Sequence, residues 1–216
     1  MHAQQRKGNP MFVKQVPVSG LITTNAYFYI NELTGAGVLI DPGAEASRLL
    51  KLINDNHWII EKILLTHGHF DHIGAVDTIA KELKIPYYIH KNGKEYLENG
   101  QINLSSVWGQ EICLYDAQFL NDAEIIRDKA ENFMLQVIHT PGHTTDSVLY
   151  YDEKNHIAFC GDTIFKSSYG RTDLPGGNLQ QLTDSIKKKI LTLPDNTLLY
   201  SGHSELTTVA EEKRWY

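Results

Sequence analysis

Apolar and polar positions along the chain group into short runs. Residues 12–16, 26–30 and 38–40 are compact and rich in Val, Ile, Phe and Tyr, and turn signals at Thr34-Gly35-Ala36-Gly37 and Asp41-Pro42-Gly43 bound them. They predict three strands. Helical spacing follows at 46–54, where Ala46, Leu49, Leu50 and Ile53 share one face. A strand is expected over 59–65, then a helix carried by Ile73, Val76, Ala80 and Leu83. Residues 87–90 read as a strand and 93–97 as a short helical stretch, whereas 99–128 carry no clear period. Strands are expected again at 133–138, 147–151 and 157–160, the last two joined as a hairpin by Asp152-Glu153-Lys154-Asn155. Leu179, Leu182, Ile186 and Ile190 mark a further helix, 198–200 a strand and 206–212 a terminal helix. Helices interspersed among strands, with no repeat and no linker, predict one α/β domain.

Composition narrows the classes. The 216 residues are 42% hydrophobic and 21% charged, an ordinary globular balance. Net charge is −6 with no basic stripe, so neutralisation of nucleic-acid phosphates has no support and no nucleic-acid partner is expected. No apolar run approaches the roughly 20 residues that span a bilayer, so no membrane partner is expected either. The opening MHAQQRKGNP lacks the apolar core of an export signal. Residues 1–10 are expected to be a leader or a disordered N-terminus and 11–216 a single domain. Cys113 and Cys160 form no ligand spacing and read as reduced thiols of a cytoplasmic protein, Cys160 as a small core residue.

The chemistry concentrates at the ends of the predicted strands. "LLTHGHFDHIGA" (64–75) holds His67, His69, Asp71 and His72 in a strand-to-helix loop, where rigid elements aim side chains. Three distant segments offer partners: His143 in "HTPGHTTDS", Asp162 in "FCGDTIF" and His203 in "LLYSGHSE". Each follows an apolar strand and a glycine or turn. Five imidazoles and two carboxylates exceed one tetrahedral ion and suit two ions sharing a ligand. His90 and His156 adjoin turn residues and are expected at the surface. His139 is expected to pack or to support the site rather than to ligate. Asp41, in a tight turn, is either a turn former or a support for the ligands.

These residues resemble the metallo-β-lactamase superfamily. Its HxHxDH motif is met by His67, His69, Asp71 and His72, and its later ligands by His143, Asp162 and His203. The resemblance implies a four-layer αββα sandwich of two mixed sheets with the site at one edge. It assigns His67, His69 and His143 to one metal, Asp71, His72 and His203 to a second, and Asp162 to both, with Asp71 counted also as catalytic. The cofactors implied are two divalent ions, taken as zinc, although the same ligands accept iron or manganese. The implied reaction is hydrolysis by a metal-bridging hydroxide.

"YGRTDLPGG" (169–177) and "SGHSELTTVAEEKR" (201–214) resemble the short glyoxalase II-like thioester hydrolases, with Ser204-Glu205 where Gly-Pro is commoner. That implies a small-molecule hydroxyacyl thioester such as S-lactoylglutathione, split to acid and thiol by a monomer or homodimer. The family's larger members carry a C-terminal helical domain that binds glutathione carboxylates, which the sequence up to Tyr216 is expected to lack. Arg171 and Lys166 are the cations near the site for substrate contact, Arg171 having Asp173 beside it as an alternative partner. Two other readings stand beside this one. A persulfide dioxygenase-like enzyme would hold a single iron on His67, His143 and Asp162. A non-catalytic metal-binding module would use the same ligands without chemistry.

Overall fold

The computed structural model describes residues 11–129 and 133–216; the expected leader, 1–10, lies outside them. β1 (Met11–Ser19), β2 (Thr23–Asn31) and β3 (Ala36–Ile40) pair antiparallel. β4 (Ile59–Leu64), β5 (Tyr87–His90) and β6 (Gln118–Leu120) extend the same sheet in parallel. Parallel neighbours need a crossover. α1 (Ala46–Asp55) carries the chain from β3 to β4, and α2 (Phe70–Ile73) with α3 (Val76–Leu83) carries it from β4 to β5. The short α4 (Lys94–Glu98) follows β5. The second sheet contains β7 (Ile125–Arg127), β8 (Met134–His139), β9 (Val148–Asp152), β10 (Ile157–Gly161), β11 (Leu198–Ser201) and β12 (Thr207–Thr208), in the order β12-β11-β10-β9-β8-β7. Only β10 and β11 are parallel here, joined through α5 (Leu179–Ser185) and a wider π-type turn over Ile186–Ile190. α6 (Val209–Glu212) follows β12.

Side-chain alternation builds the layers. Along β2, Tyr27 and Tyr29 face the second sheet and meet Val137, Val148, Tyr150 and Phe159. Phe28 and Ile30 face the other way, into a layer with Leu49, Ile53, Val76 and Ile79 from α1 and α3. On the far side, Leu149, Ala158, Cys160 and Leu199 pack on Leu182, Ile186 and Ile190. Strands buried on both faces therefore read as apolar runs rather than as apolar–polar alternation. The result is the expected four-layer αββα sandwich of two mixed sheets. Hydrogen bonds cross between the sheets near one edge: Tyr150 Oη donates to Leu65 O (2.7 Å), Tyr27 Oη to Ser201 O (2.6 Å) and Val148 N to Thr66 O (2.8 Å).

Three expectations change. The unperiodic 99–128 contributes β6 and β7, each three residues long with one buried side chain, too short to show a period. The terminal helix is shorter than 206–212, because the β-branched Thr207 and Thr208 pair with β11 and the Thr208 side chain then caps α6 by accepting Glu211 N. His90 is buried rather than at the surface, stacked on His139 with ring centroids 4.2 Å apart.

Candidate metal centre

β3, β4, β10 and β11 end at the same edge, and the predicted residues lie just beyond these ends and beyond β8. His67 and His69 follow β4, with Asp71 and His72 in α2. His143 follows β8, Asp162 follows β10 and His203 follows β11. All seven come together. His67 Nε2 and His143 Nε2 lie 3.1 and 2.9 Å from His69 Nδ1. His203 Nε2 lies 3.1 Å from Asp71 Oδ2 and 3.2 Å from Asp162 Oδ2. His72 Nε2 lies 3.6 Å from Asp71 Oδ2 and 3.4 Å from Asp162 Oδ1. Asp162 Oδ2 is also 3.6 Å from His143 Nε2, so this one carboxylate touches both groups.

Glycine allows the approach. A Cβ on Gly202 would fall 2.2 Å from Asp162 Oδ1 and 2.7 Å from His72 Cε1. Gly161 has φ +49°, and a Cβ there would meet Thr66 Oγ1 at 2.3 Å. Only a residue without a side chain fits such crossings.

Four of the five imidazoles are aimed by the nitrogen turned away from the cluster, while the outer nitrogen of His69, Nε2, is buried without a hydrogen-bond partner among the described residues. His143 Nδ1 donates to Arg171 O (2.8 Å) and His203 Nδ1 to Thr23 O (2.9 Å), leaving both Nε2 lone pairs facing inward. Asp41 is the support for His72: its Oδ2 accepts His72 Nδ1–H at 2.9 Å. The same Oδ2 accepts Thr66 Oγ1–H at 2.6 Å, and Oδ1 accepts Thr66 N–H at 2.8 Å. Thr66 Oγ1 in turn faces His67 Nδ1 at 3.2 Å. Thr24 Oγ1 donates to Asp71 Oδ2 at 2.9 Å. The roles of Thr24 and Thr66 escaped the sequence reading. Thr66 had one available signal, its place directly before His67 in the motif.

Charge follows the same division. Burial holds the His67 imidazole well below its ordinary range, with His72 and His69 adding to the effect. Burial and then His143 hold His69 at about 3. Burial opposes the charge of His72, but Asp71, Asp162 and Asp41 outweigh it and push the ring well above its usual range. His203 also loses solvation on burial, yet hydrogen bonds to Asp162 and Asp71 raise it to about 10. Burial disfavours both carboxylates as anions. His72 and His203 overcome this, holding Asp71 at about 2 and Asp162 well below the carboxylate range.

The donor set fits metal ions. His72 Nε2 and Asp162 Oδ1 are buried without a hydrogen-bond partner and face one another. Buried so close together, the two need positive charge between them, either a proton on His72 Nε2 or a metal cation that replaces it. Three groups of ligand atoms lie within 4.8 Å of one another: His67, His69 and His143; His67, His72 and Asp162; and Asp71, His72 and His203. Imidazole and carboxylate donors at this spacing suit divalent metals.

A pocket of about 490 Å³ opens above these residues, with Ile22, Phe70, Leu104, Trp108, Phe165 and Leu174 among its walls. Arg171 lines it too, with Nε and Nη2 each 2.7 Å from an Asp173 oxygen. Lys166 borders a neighbouring depression with Thr23 and His203, and its Nζ pairs with Glu205 at 2.7 Å.

Comparison with known proteins agrees with this architecture. BLEG-1, a B3 metallo-beta-lactamase, superposes with a TM-score of 0.88 at 41% identity, covering 94% of this chain and 97% of its own. TTHA1623, solved in a di-iron-bound form, superposes at 0.80 with 36% identity, covering 92% and 97%. A probable metallo-hydrolase of Bacillus subtilis, YqgX, is 39% identical over 203 residues, 93% of each chain. The hydroxyacylglutathione hydrolase GloC of Haemophilus influenzae is 30% identical over 207 residues, 94% of this chain and 96% of its own. A family model described as the metallo-beta-lactamase superfamily matches residues 19–203, a span that reaches from the first strand to the last histidine of the cluster, and the chain belongs to that superfamily.

Proposed function

We propose that the protein is a binuclear metal-dependent thioester hydrolase of the glyoxalase II kind, acting on S-lactoylglutathione or a related hydroxyacyl thioester. The observation that carries this reading is the position of Asp162, whose Oδ2 reaches His143 on one side and His203 on the other. His67, His69 and His143 would hold one ion and Asp71, His72 and His203 the other, with Asp162 within reach of both groups. The similarity to GloC, named as a hydroxyacylglutathione hydrolase, supports the substrate class. Zinc is the ion we assign, with iron or manganese compatible with the same ligands; the relative TTHA1623 was solved with two irons. The enzyme is assigned to the cytoplasm, as a monomer or homodimer. No helix among the described residues is long and apolar enough to cross a membrane.

When bound, the ions lower the pKa of a coordinated water toward ~7 and polarise the carbonyl. The chain supplies everything else. Asp41, Thr23 O and Arg171 O fix the ring orientations, so the ligands need little rearrangement when the reaction begins. Thr24 steadies the Asp71 carboxylate that faces the pocket. In the overall reaction water oxygen bonds to the carbonyl carbon, the C–S bond breaks, and acid and thiol leave. A thiol ionises near pH 8.5, so the leaving group needs no strong acid from the protein.

Elemental analysis beside a thioester assay tests the reading. About two divalent ions per chain are expected, with hydrolysis abolished in His69→Ala. One iron with negligible other metal, or a His69→Ala variant as active as the parent, overturns it.

A further inference from the structure

The pocket above the cluster is unusual in being apolar where a glutathione site calls for positive charge. Glutathione carries two carboxylates, and among the described residues Arg171 is the single Lys or Arg lining the pocket, already engaged with Asp173. Apolar side chains make the wall instead. Phe70 lies between the ligands His69 and Asp71 in sequence, and Trp108 sits 6.5 Å from it, centroid to centroid. Val107 and Trp108 are 64% and 56% exposed, side by side at the pocket mouth. Exposed large apolar groups gathered at a cleft mark a binding surface.

This wall is built, not incidental. Val107 and Trp108 ride on one short turn, Ser105–Trp108, held between Leu104 at φ 73° and Gly109 at φ 77°. Leucine in the left-handed region is strained, and strain of this kind persists where surrounding contacts enforce it. Those contacts come from Asn103, which is fully buried. Its Nδ2 donates to Tyr96 O (2.8 Å) and Ile112 O (2.9 Å), its Oδ1 accepts Ser105 N, and its backbone O accepts Phe70 N at 3.0 Å. The turn is thereby fastened to the metal motif itself.

Resting on the thioester hydrolase reading, we propose that this wall is the acyl subsite, and that it selects a hydroxyacyl group ending in an apolar, preferably aromatic, substituent over the small lactoyl group. The wall begins at Phe70, beside the ligands, within reach of both groups bonded to the reacting carbonyl; a charged thiol such as glutathione finds no free cation there among the described residues, which leaves the wall to the acyl group. Val107 and Trp108 are its specificity-determining residues.

The test uses the metal-loaded enzyme with mandeloyl and lactoyl thioesters of one neutral thiol, N-acetylcysteamine, together with S-lactoylglutathione. Mandeloyl and lactoyl differ only as phenyl and methyl. The mandeloyl ester is expected to have the higher kcat/KM. Trp108→Ala lowers that value roughly tenfold to hundredfold, mainly through KM, and with it the ratio of mandeloyl to lactoyl kcat/KM on the same thiol. Val107→Ala gives the same direction with a smaller effect. Both side chains are exposed, so their truncation spares the core. Calorimetric binding of the matching 2-hydroxy-2-phenylethyl thioether, which cannot be hydrolysed, should weaken in parallel. Equal use of the two acyl groups, or indifference of both turnover and thioether binding to Trp108→Ala, overturns the proposal and leaves the hydrolase reading standing. Preference for S-lactoylglutathione that collapses in Arg171→Gln also overturns it. Thioether binding through Trp108 without turnover of any thioester overturns the hydrolase reading instead.

Discussion

Replacing Asp41 with asparagine isolates the support of one metal ligand. The carboxylate is 1% exposed and accepts three hydrogen bonds, from Thr66 N, Thr66 Oγ1 and His72 Nδ1. In Asp41→Asn the amide oxygen can keep Thr66 N, but the amide nitrogen is a donor and faces His72 Nδ1. Toward His72 it is satisfied only if that ring carries its proton on Nε2, the nitrogen that points to Asp71 and Asp162. A ring protonated there does not coordinate. Loss of a buried hydrogen bond to a charged group costs about 1.5–3 kcal/mol. Outer-shell substitutions typically lower metal affinity by about 10–100-fold, or roughly 1.4–2.7 kcal/mol, the same range. Titrating the metal-depleted protein with zinc against a chromogenic chelator should show the second equivalent weakened by about that factor. The first equivalent, held by His67, His69 and His143, should fall less. A second equivalent unchanged within about threefold refutes the orienting role of Asp41.

Acidification should release the ions unequally. The second site must displace protons from His203, raised to about 10, and from His72, raised well above its usual range, whereas His69, held at about 3, offers a neutral ring at every ordinary pH. Metal content measured after dialysis at decreasing pH should fall from two to one before reaching none; simultaneous loss contradicts this. Gly202→Ala places a methyl against Asp162 and His72, an overpacking of about 1–3 kcal/mol. It should reduce metal stoichiometry below two, and full stoichiometry counts against the close approach described. Burial raises Asp146 from an ordinary 3.8 to about 7. The folded state therefore keeps a proton that the unfolded chain releases near 4, and stability falls as pH rises between those values. Compared with Asp146→Asn, the parent should lose roughly 2–3 kcal/mol between pH 5 and 7 in denaturant titrations; parallel pH profiles exclude that burial effect.

Much of this site is legible in the chain because its ligands follow strand ends. His143, Asp162 and His203 each come after an apolar run and a glycine or turn, His67 comes two residues after an apolar run, and these features leave local marks. Thr24 and Thr66 leave none, since a buried threonine hydroxyl bound to Asp71 or Asp41 looks in sequence like any strand residue. The wall at 104–109 is equally silent. Val107 and Trp108 belong to no period, and Leu104 adopts a conformation its identity argues against. β6 and β7 escape notice because three residues with one buried side chain carry no alternation. His90 misleads for a different reason: lysine and asparagine follow it, yet the ring itself turns inward onto His139.

The proposed ligands come from both sheets, four from beyond β4 and three from beyond β8, β10 and β11, beside the hydrogen bonds of Tyr150 and Tyr27 that also span the two. An ion bound there is therefore a clasp between the halves of the sandwich as well as a reagent. Its binding free energy adds to cohesion along that edge, growing as RT ln(1 + [metal]/Kd), about 1.4 kcal/mol for each tenfold rise in free metal above Kd. The metal supply of the surroundings then sets how firmly the sheets stay docked, and a variant that weakens a ligand loosens the sandwich at the same time as it slows the chemistry.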